Sequence, residues 1–151
     1  MKTIKHEVIQ RWNSEGQLIR EEWRVDGKFH RVDGPAVHRW NDEGQLIIES
    51  WWVDGKVHRV DGPAHQKWND EGKLIYEEWW VNGQRHREDG PAVECVGGYK
   101  AWYLNGKRHR EDGPAIEWTN RYKAWWVNGQ RHREDGPAIE IDPDWVQKNG
   151  I

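Results

Sequence analysis

The chain has 151 residues, a formal net charge of −3 and a mean hydropathy of −1.14; 32% of it is charged and 13 residues are tryptophan. The near-neutral charge gives no general electrostatic reason to bind nucleic acid or anionic lipid, and no apolar run approaches the length of a membrane span. Scarce Val, Ile, Leu and Phe would by themselves suggest disorder, but the low net charge and the tryptophans, each a large apolar area, predict a folded chain with a thin, mainly aromatic core.

The opening MKTIKHEVIQ is polar and alternates like a strand, unlike a signal peptide. RWNSEGQLI (11–19) then reads as a partial repeat, because RWNDEGQLI and KWNDEGKLI follow later. The full repeat is W-x-[VL]-[DN]-G-x-x-H-R-x-D-G-P-A. Its Trp falls at Trp23, Trp51, Trp79, Trp102 and Trp125, and its His at His30, His58, His86, His109 and His132. The period is 28 residues twice and then 23 twice, the later linkers being shortened to VGGYK and TNRYK. One repeat domain over 1–151 is predicted. A cap or partial repeat covers 1–20, repeats cover 21–48, 49–76, 77–100, 101–123 and 124–141, and a terminal cap covers 142–151.

Asp-Gly or Asn-Gly between alternating apolar residues predicts a two-residue type I′ hairpin, which needs positive φ at both central positions. The five such pairs begin at Asp26, Asp54, Asn82, Asn105 and Asn128. In the third repeat this register sets Val81 against Gln84, Trp80 against Arg85, Trp79 against His86 and Glu78 against Arg87. The Trp80/Arg85 pair returns as Tyr103/Arg108 and Trp126/Arg131, and in the first repeat as Arg24/Phe29 with the two types exchanged. Such an exchange fits a cation–π contact across the strands. D-G-P-A supplies a bend and a strand start, so each repeat is predicted to be two or three antiparallel strands. At the end, Asp142, Pro143 and Gly150 predict a short capped helix around Trp145.

The stretch YEEWWVNGQRH (76–86) resembles the MORN repeat, roughly Y-x-G-x-W-x-x-G-x-x-H-G. Tyr76, Trp80, Gly83 and His86 match by spacing, as do Tyr99, Tyr103, Gly106 and His109, and Tyr122, Trp126, Gly129 and His132. The family's Gly between Tyr and Trp is Glu78, Ala101 or Ala124 here, and its Gly after His is Arg87, Arg110 or Arg133. In the first repeat, Arg20 and Arg24 hold the aromatic places. The resemblance implies an all-β, elongated antiparallel meander of stacked hairpins, and roles in binding proteins or, in some members, membrane lipids. Similar bacterial and phage repeat proteins include antitoxin-like ones.

Alternation splits each hairpin into two faces. Trp79, Val81 and His86 lie on the first, and Tyr76, Trp80 and Arg85 on the second. The first face varies less and is expected to form the core between repeats. The recurring His/Asp pair invites a metal reading, but lacks clustered ligand spacing; no metal or cofactor is expected. Candidate partner-binding residues are the aromatic series Trp52, Trp80, Tyr103 and Trp126 and the arginines Arg59, Arg85, Arg87, Arg108, Arg110, Arg131 and Arg133. The plainer alternatives are stacking along the sheet for the aromatics, and pairing with nearby carboxylates for the arginines, Arg87 with Glu78 or Asp89.

Cys95 occupies a packing position. As the sole cysteine it excludes an intrachain disulfide framework and fits a reducing, cytoplasmic compartment. Near-identical copies deliver a periodic surface rather than the converging unlike groups of an active site. The expected function is a non-catalytic protein-binding module, possible roles being an inhibitor, an antitoxin or a phage-encoded counter-defence protein. The alternative is a carbohydrate- or lipid-surface binder. Nucleic acid is not expected as a partner, nor a membrane; self-association through open edge strands is a further expectation.

Overall fold

The computed structural model describes residues 3–150 and divides the chain into two compact units, 1–84 and 85–151. The protein is all-β, an antiparallel hairpin meander with one short helix. The first unit holds β1 (His6–Trp12), β2 (Leu18–Val25), β3 (Lys28–Phe29), β4 (Val37–Trp40), β5 (Leu46–Ser50), β6 (Trp52–Val53), β7 (Lys56–Val57), β8 (His65–Trp68), β9 (Leu74–Glu78) and β10 (Trp80–Val81). Strand β11 (Gln84–Arg85) follows. The second unit continues with β12 (Val93–Cys95), β13 (Tyr99–Ala101), β14 (Tyr103–Leu104), β15 (Lys107–Arg108), β16 (Ile116–Trp118), β17 (Tyr122–Ala124), β18 (Trp126–Val127), β19 (Gln130–Arg131), β20 (Ile139–Ile141) and α1 (Pro143–Asn149).

In the first unit the sheet order is β1-β2-β4-β5-β8-β9, and in the second it is β12-β13-β16-β17-β20. Chain order and sheet order agree: short turns join β1 to β2, β4 to β5, β8 to β9, β12 to β13 and β16 to β17, and a hairpin followed by the D-G-P-A loop leads from each such pair to the next strand of its sheet. The Asp-Gly and Asn-Gly turns are type I′, with φ of 48° at Asn105 and 78° at Gly106, for instance. Register follows from this turn: Tyr103 faces Arg108, Trp126 faces Arg131, Trp52 faces Val57 and Arg24 faces Phe29. Asp142 caps α1 by accepting from Asp144 and Trp145, Pro143 opens the helix, and Gly150 closes it in the left-handed conformation.

Three expectations need correction. First, the strand that enters the turn is continuous in the first repeat alone. Elsewhere it breaks at Trp51, Trp79, Trp102 and Trp125, so the turn forms a separate two-stranded ribbon. At the break the Trp N–H still bonds the sheet, donating to the D-G-P-A alanine carbonyl (Trp51 to Ala64, 2.7 Å; Trp102 to Ala115, 2.8 Å), while its own carbonyl accepts from the ribbon histidine (His58, 3.0 Å; His109, 3.1 Å).

Second, the core is built mainly of alanine, with Tyr103 its one buried aromatic among the described residues. Ala36, Ala64, Ala92, Ala101 and Ala115 are fully buried, joined by Val37, Val93, Ile116 and Ala124, whereas Trp12 is exposed and every other Trp is only half-buried. The D-G-P-A alanine is covered because its main chain bonds a neighbour on each side at the root of the ribbon, Ala64 donating to Glu78 and accepting from Trp51. Third, a row of deep burial lies on the second face: Val37 opposite Ser50, and Ile116 opposite Ala124. The constancy of the first face has another cause, which lies in polar contacts.

Candidate partner-binding surface

Each D-G-P-A loop is built around the arginine of H-R-x-D. Its guanidinium lies over the repeat's Trp ring, 4.1 Å from the centroid for Arg31 on Trp23 and Arg59 on Trp51, 4.0 Å for Arg110 on Trp102 and 3.8 Å for Arg133 on Trp125. Its Nε donates to the Asp two residues on, at 2.9 Å for Arg59–Asp61, Arg87–Asp89, Arg110–Asp112 and Arg133–Asp135. Its Nη1 donates to the proline carbonyl, at 3.2 Å for Pro63, Pro91, Pro114 and Pro137. The loop glycine closes the other side: a Cβ on Gly34, Gly62, Gly90, Gly113 or Gly136 would fall within 3.1 Å of the guanidinium carbon. W, R, D, G and P are therefore parts of one clamp. The hydrogen bond from its arginine is the largest cause holding each of Asp61, Asp89, Asp112 and Asp135 below the usual carboxylate pKa.

The histidine joins one repeat to the next. The turn residue of the following repeat donates its main-chain N–H to Nδ1: Asp54 to His30 at 3.1 Å, Asn82 to His58 at 3.0 Å, Asn105 to His86 and Asn128 to His109 at 3.1 Å. The turn glycine donates alongside, Gly55 to Phe29, Gly83 to Val57, Gly106 to Arg85 and Gly129 to Arg108, each at 2.9 Å. The clamp arginine's N–H returns the contact, Arg31 to Trp52, Arg59 to Trp80, Arg87 to Tyr103 and Arg110 to Trp126. Of the carboxylates expected for the arginine, the Asp of its own clamp takes it, Arg87 with Asp89 at 2.9 Å. In these repeats the arginine has already left its own ribbon, and Glu22 instead takes Arg20 and Arg24. Burial opposes the charge on Glu22, but the Arg24 hydrogen bond and the two guanidiniums outweigh it and keep its pKa low.

The aromatic candidates lie on the second face, where the rings of Trp52, Tyr103 and Trp126 meet Phe29 or arginines. Phe29 and Trp52 lie 5.3 Å apart, with Arg24 over Phe29 at 4.4 Å. In the second unit Arg85 sits 5.4 Å from the ring of Tyr103, Arg108 5.0 Å from Trp126 and Arg131 5.4 Å from Trp126, and Arg108 Nε donates to the Tyr103 hydroxyl at 3.3 Å. Tyr103 is buried, the indole N–H groups of Trp52 and Trp126 are buried, and Trp80 donates its indole N–H to Glu78 at 3.1 Å. All eleven candidates are thus placed in contacts within the chain: Arg59, Arg87, Arg110 and Arg133 in clamps, Trp80 on Glu78, and the others in ring and arginine contacts of the second face.

The first face presents notches. One of about 640 Å³ is lined by Trp102, Leu104 and His109 between the acidic pairs Glu88–Asp89 and Glu111–Asp112. Its neighbour, of the same size, is lined by Trp125, Val127 and His132 between Glu111–Asp112 and Glu134–Asp135. A smaller one in the first unit is lined by Val8, Trp23, Val25, His30 and Val32. The rim residue is the x of H-R-x-D, which the sequence reading passed over. It is Val32 and Val60, 79% and 80% exposed, and then Glu88, Glu111 and Glu134, with side chains 85%, 81% and 90% exposed. Its signal was available, since x is a variable place inside an otherwise constant H-R-x-D-G-P-A.

Among the described residues no group of three or more His, Cys, Asp or Glu is arranged to hold a metal ion, and no helix is long and apolar enough to cross a membrane. Comparison with protein-family models, with curated proteins and with solved structures finds no match to this chain.

Proposed function

We propose that this protein is a non-catalytic, cytoplasmic protein-binding module, a variant of the MORN hairpin repeat, that engages its partner through the notches of the first face. The observation that carries this reading is the recurrence of one notch with one lining, Trp, Val or Leu, and His, under a rim that changes from valine to glutamate. With two sheet strands per repeat, notches recur about every 9–10 Å. An extended partner segment would meet several at once and add modest contacts into useful affinity. Aromatic ring, apolar floor and charged rim are the makings of a protein interface. The acidic rims of the second unit suit lysine or arginine side chains on the partner. By occupying a target's surface such a module blocks it, as an inhibitor or antitoxin does.

The test is capture from native-host lysate by wild type and by a Glu88→Lys, Glu111→Lys, Glu134→Lys variant, with thermal melts to show equal folding. A protein recovered by wild type and lost by the variant supports the reading. Equal recovery by both moves the site away from the notches. Recovery of nothing specific by either, with glycan or liposome binding instead, replaces the protein partner by the surface-binding alternative.

A further inference from the structure

We propose that β1 is a self-association edge, on which a second copy of this chain adds its own β1 antiparallel, centred on Ile9, to make a two-fold dimer. Among the described residues β1 has β2 as its sole sheet partner. It runs seven residues, long for an open edge. Lys5 accepts from Asp26 through its carbonyl, at 2.8 Å, so odd residues of β1 turn their main-chain groups toward β2. Alternation then turns those of His6, Val8 and Gln10 outward.

Apolar side chains are exposed here as well, Ile4, Val8 and Trp12 at 61%, 49% and 56%, as Ile139 and Ile141 are on β20. Aligning the repeats on Trp12, Trp40 and Trp68 puts Val8 where β4 and β8 are preceded by Ala36 and Ala64, both fully buried. Those alanines are covered because strands flank both sides. At Val8 one flank is open.

The occupant is set by charge. Centring two copies on Ile9 puts Val8 against the other copy's Gln10, a pair whose main-chain groups both point outward, and makes about four main-chain hydrogen bonds across the axis. The same register puts Glu7 against Arg11 of the other copy, twice. HEVIQRW is thus complementary to itself when reversed. The other described edge lacks this property. β20 is three residues, IEI, and a symmetric pairing would set Glu140 against Glu140, which is repulsive. Nor does Lys5, whose ammonium lies 2.6 Å from Glu7, leave an uncompensated charge to block the β1 edge.

Light scattering behind gel filtration, over a wide concentration range, reads the mass directly. About twice the 18.0 kDa of one chain is expected at high concentration. Val8→Pro removes an outward N–H without touching the β2 ladder, a place an edge strand tolerates proline, and is expected to be monomeric with an unchanged melt. Glu7→Arg opposes like charges twice and is expected to weaken the dimer at least about tenfold, with rescue by Glu7→Arg combined with Arg11→Glu. Ile9→Cys in a Cys95→Ser background is expected to form an interchain disulfide under mild oxidation. A monomer at every concentration overturns the proposal. So does a dimer that Glu7→Arg leaves intact and that Ile9→Cys fails to cross-link. The proposal stands or falls separately from the partner-binding reading.

Discussion

The main-chain N–H of Asn128 donates to Nδ1 of His109 across 3.1 Å, and His109 thereby fixes where the next turn sits. With Nδ1 accepting, the ring's proton is on Nε2, which lies 3.7 Å from Glu111. The last histidine of the series, His132, has a side chain 56% exposed, against 14% for His109. His30, His58, His86 and His109 are inter-repeat acceptors, which gives each of them a structural reason to recur.

Replacing His109 by Ala leaves the Asn128 N–H without its acceptor and removes a ring from the notch floor. We expect a loss of about 1–3 kcal/mol and faster hydrogen exchange at the Asn128 amide. His132→Ala, at the end of the series, serves as the comparison and should cost less. Equal losses at the two positions would show that the histidine acts within its own repeat.

Gly113→Ala tests the clamp. The added Cβ would meet the Arg110 guanidinium carbon at 3.0 Å, so the guanidinium must shift from Trp102 or release Asp112. A loss of about 1–3 kcal/mol is expected, with a change in near-ultraviolet tryptophan dichroism. The proline next to it, Pro114, should keep its trans bond. An unchanged spectrum and melt would mean that the arginine moves at no cost.

Ala64→Val should destabilise by about 1–3 kcal/mol through overpacking, because Ala64 is fully buried between ribbon and sheet. Val8→Ala, at the matching place on the open edge, should change the melt of a dilute sample by less than about 0.5 kcal/mol. Chemical denaturation of both variants checks the pair. A neutral Ala64→Val would contradict the small-residue core.

Stability should fall on mild acidification because of His65. This imidazole in β8 lies 2.5 Å from the Ser50 hydroxyl, and burial pushes its pKa below the ordinary 6.5, the Lys67 charge adding to this and the Glu78 charge opposing it. The unfolded chain takes up the proton first, so the contribution of His65 is complete above about pH 6.5 and is lost as pH falls below that value toward the lower folded-state pKa. The clamp carboxylates act in a separate, more acidic window. Their pKa values lie below 3.8 in the folded chain, so their contribution is present above that value and is lost as pH falls through the folded-state ones. Melts between pH 7.5 and 5 should decline for wild type and run flatter for His65→Gln. Parallel curves would assign the decline to another group.

Much of this protein was determined by local sequence. Asp-Gly and Asn-Gly require a type I′ turn because both central residues take positive φ, and that turn sets the facing of Tyr103 with Arg108 and of Trp126 with Arg131. Asp142, Pro143 and Gly150 likewise mark the ends of α1 by their own chemistry. The exchange of Arg24 and Phe29 foretold contact, since a cation and a ring keep their attraction when they trade strands.

What the tertiary structure decided is which constant residues are buried and which are merely engaged. Constancy of Trp, His and Arg on the first face reads in sequence as a core. It arises from hydrogen bonds between one repeat and the next, such as Asn128 to His109, and from the stack of Arg110 on Trp102. Neither is visible in a pattern of hydrophobic and polar residues. The deepest burial went to alanine, because strands bond its main chain on both sides at the root of each ribbon, a placement set by the sheet and not by side-chain hydrophobicity. The rim of Glu88, Glu111 and Glu134 became a candidate surface only when the arginines beside it were seen turned inward, since sequence alone places neighbours in the chain but not the direction in which a long side chain folds.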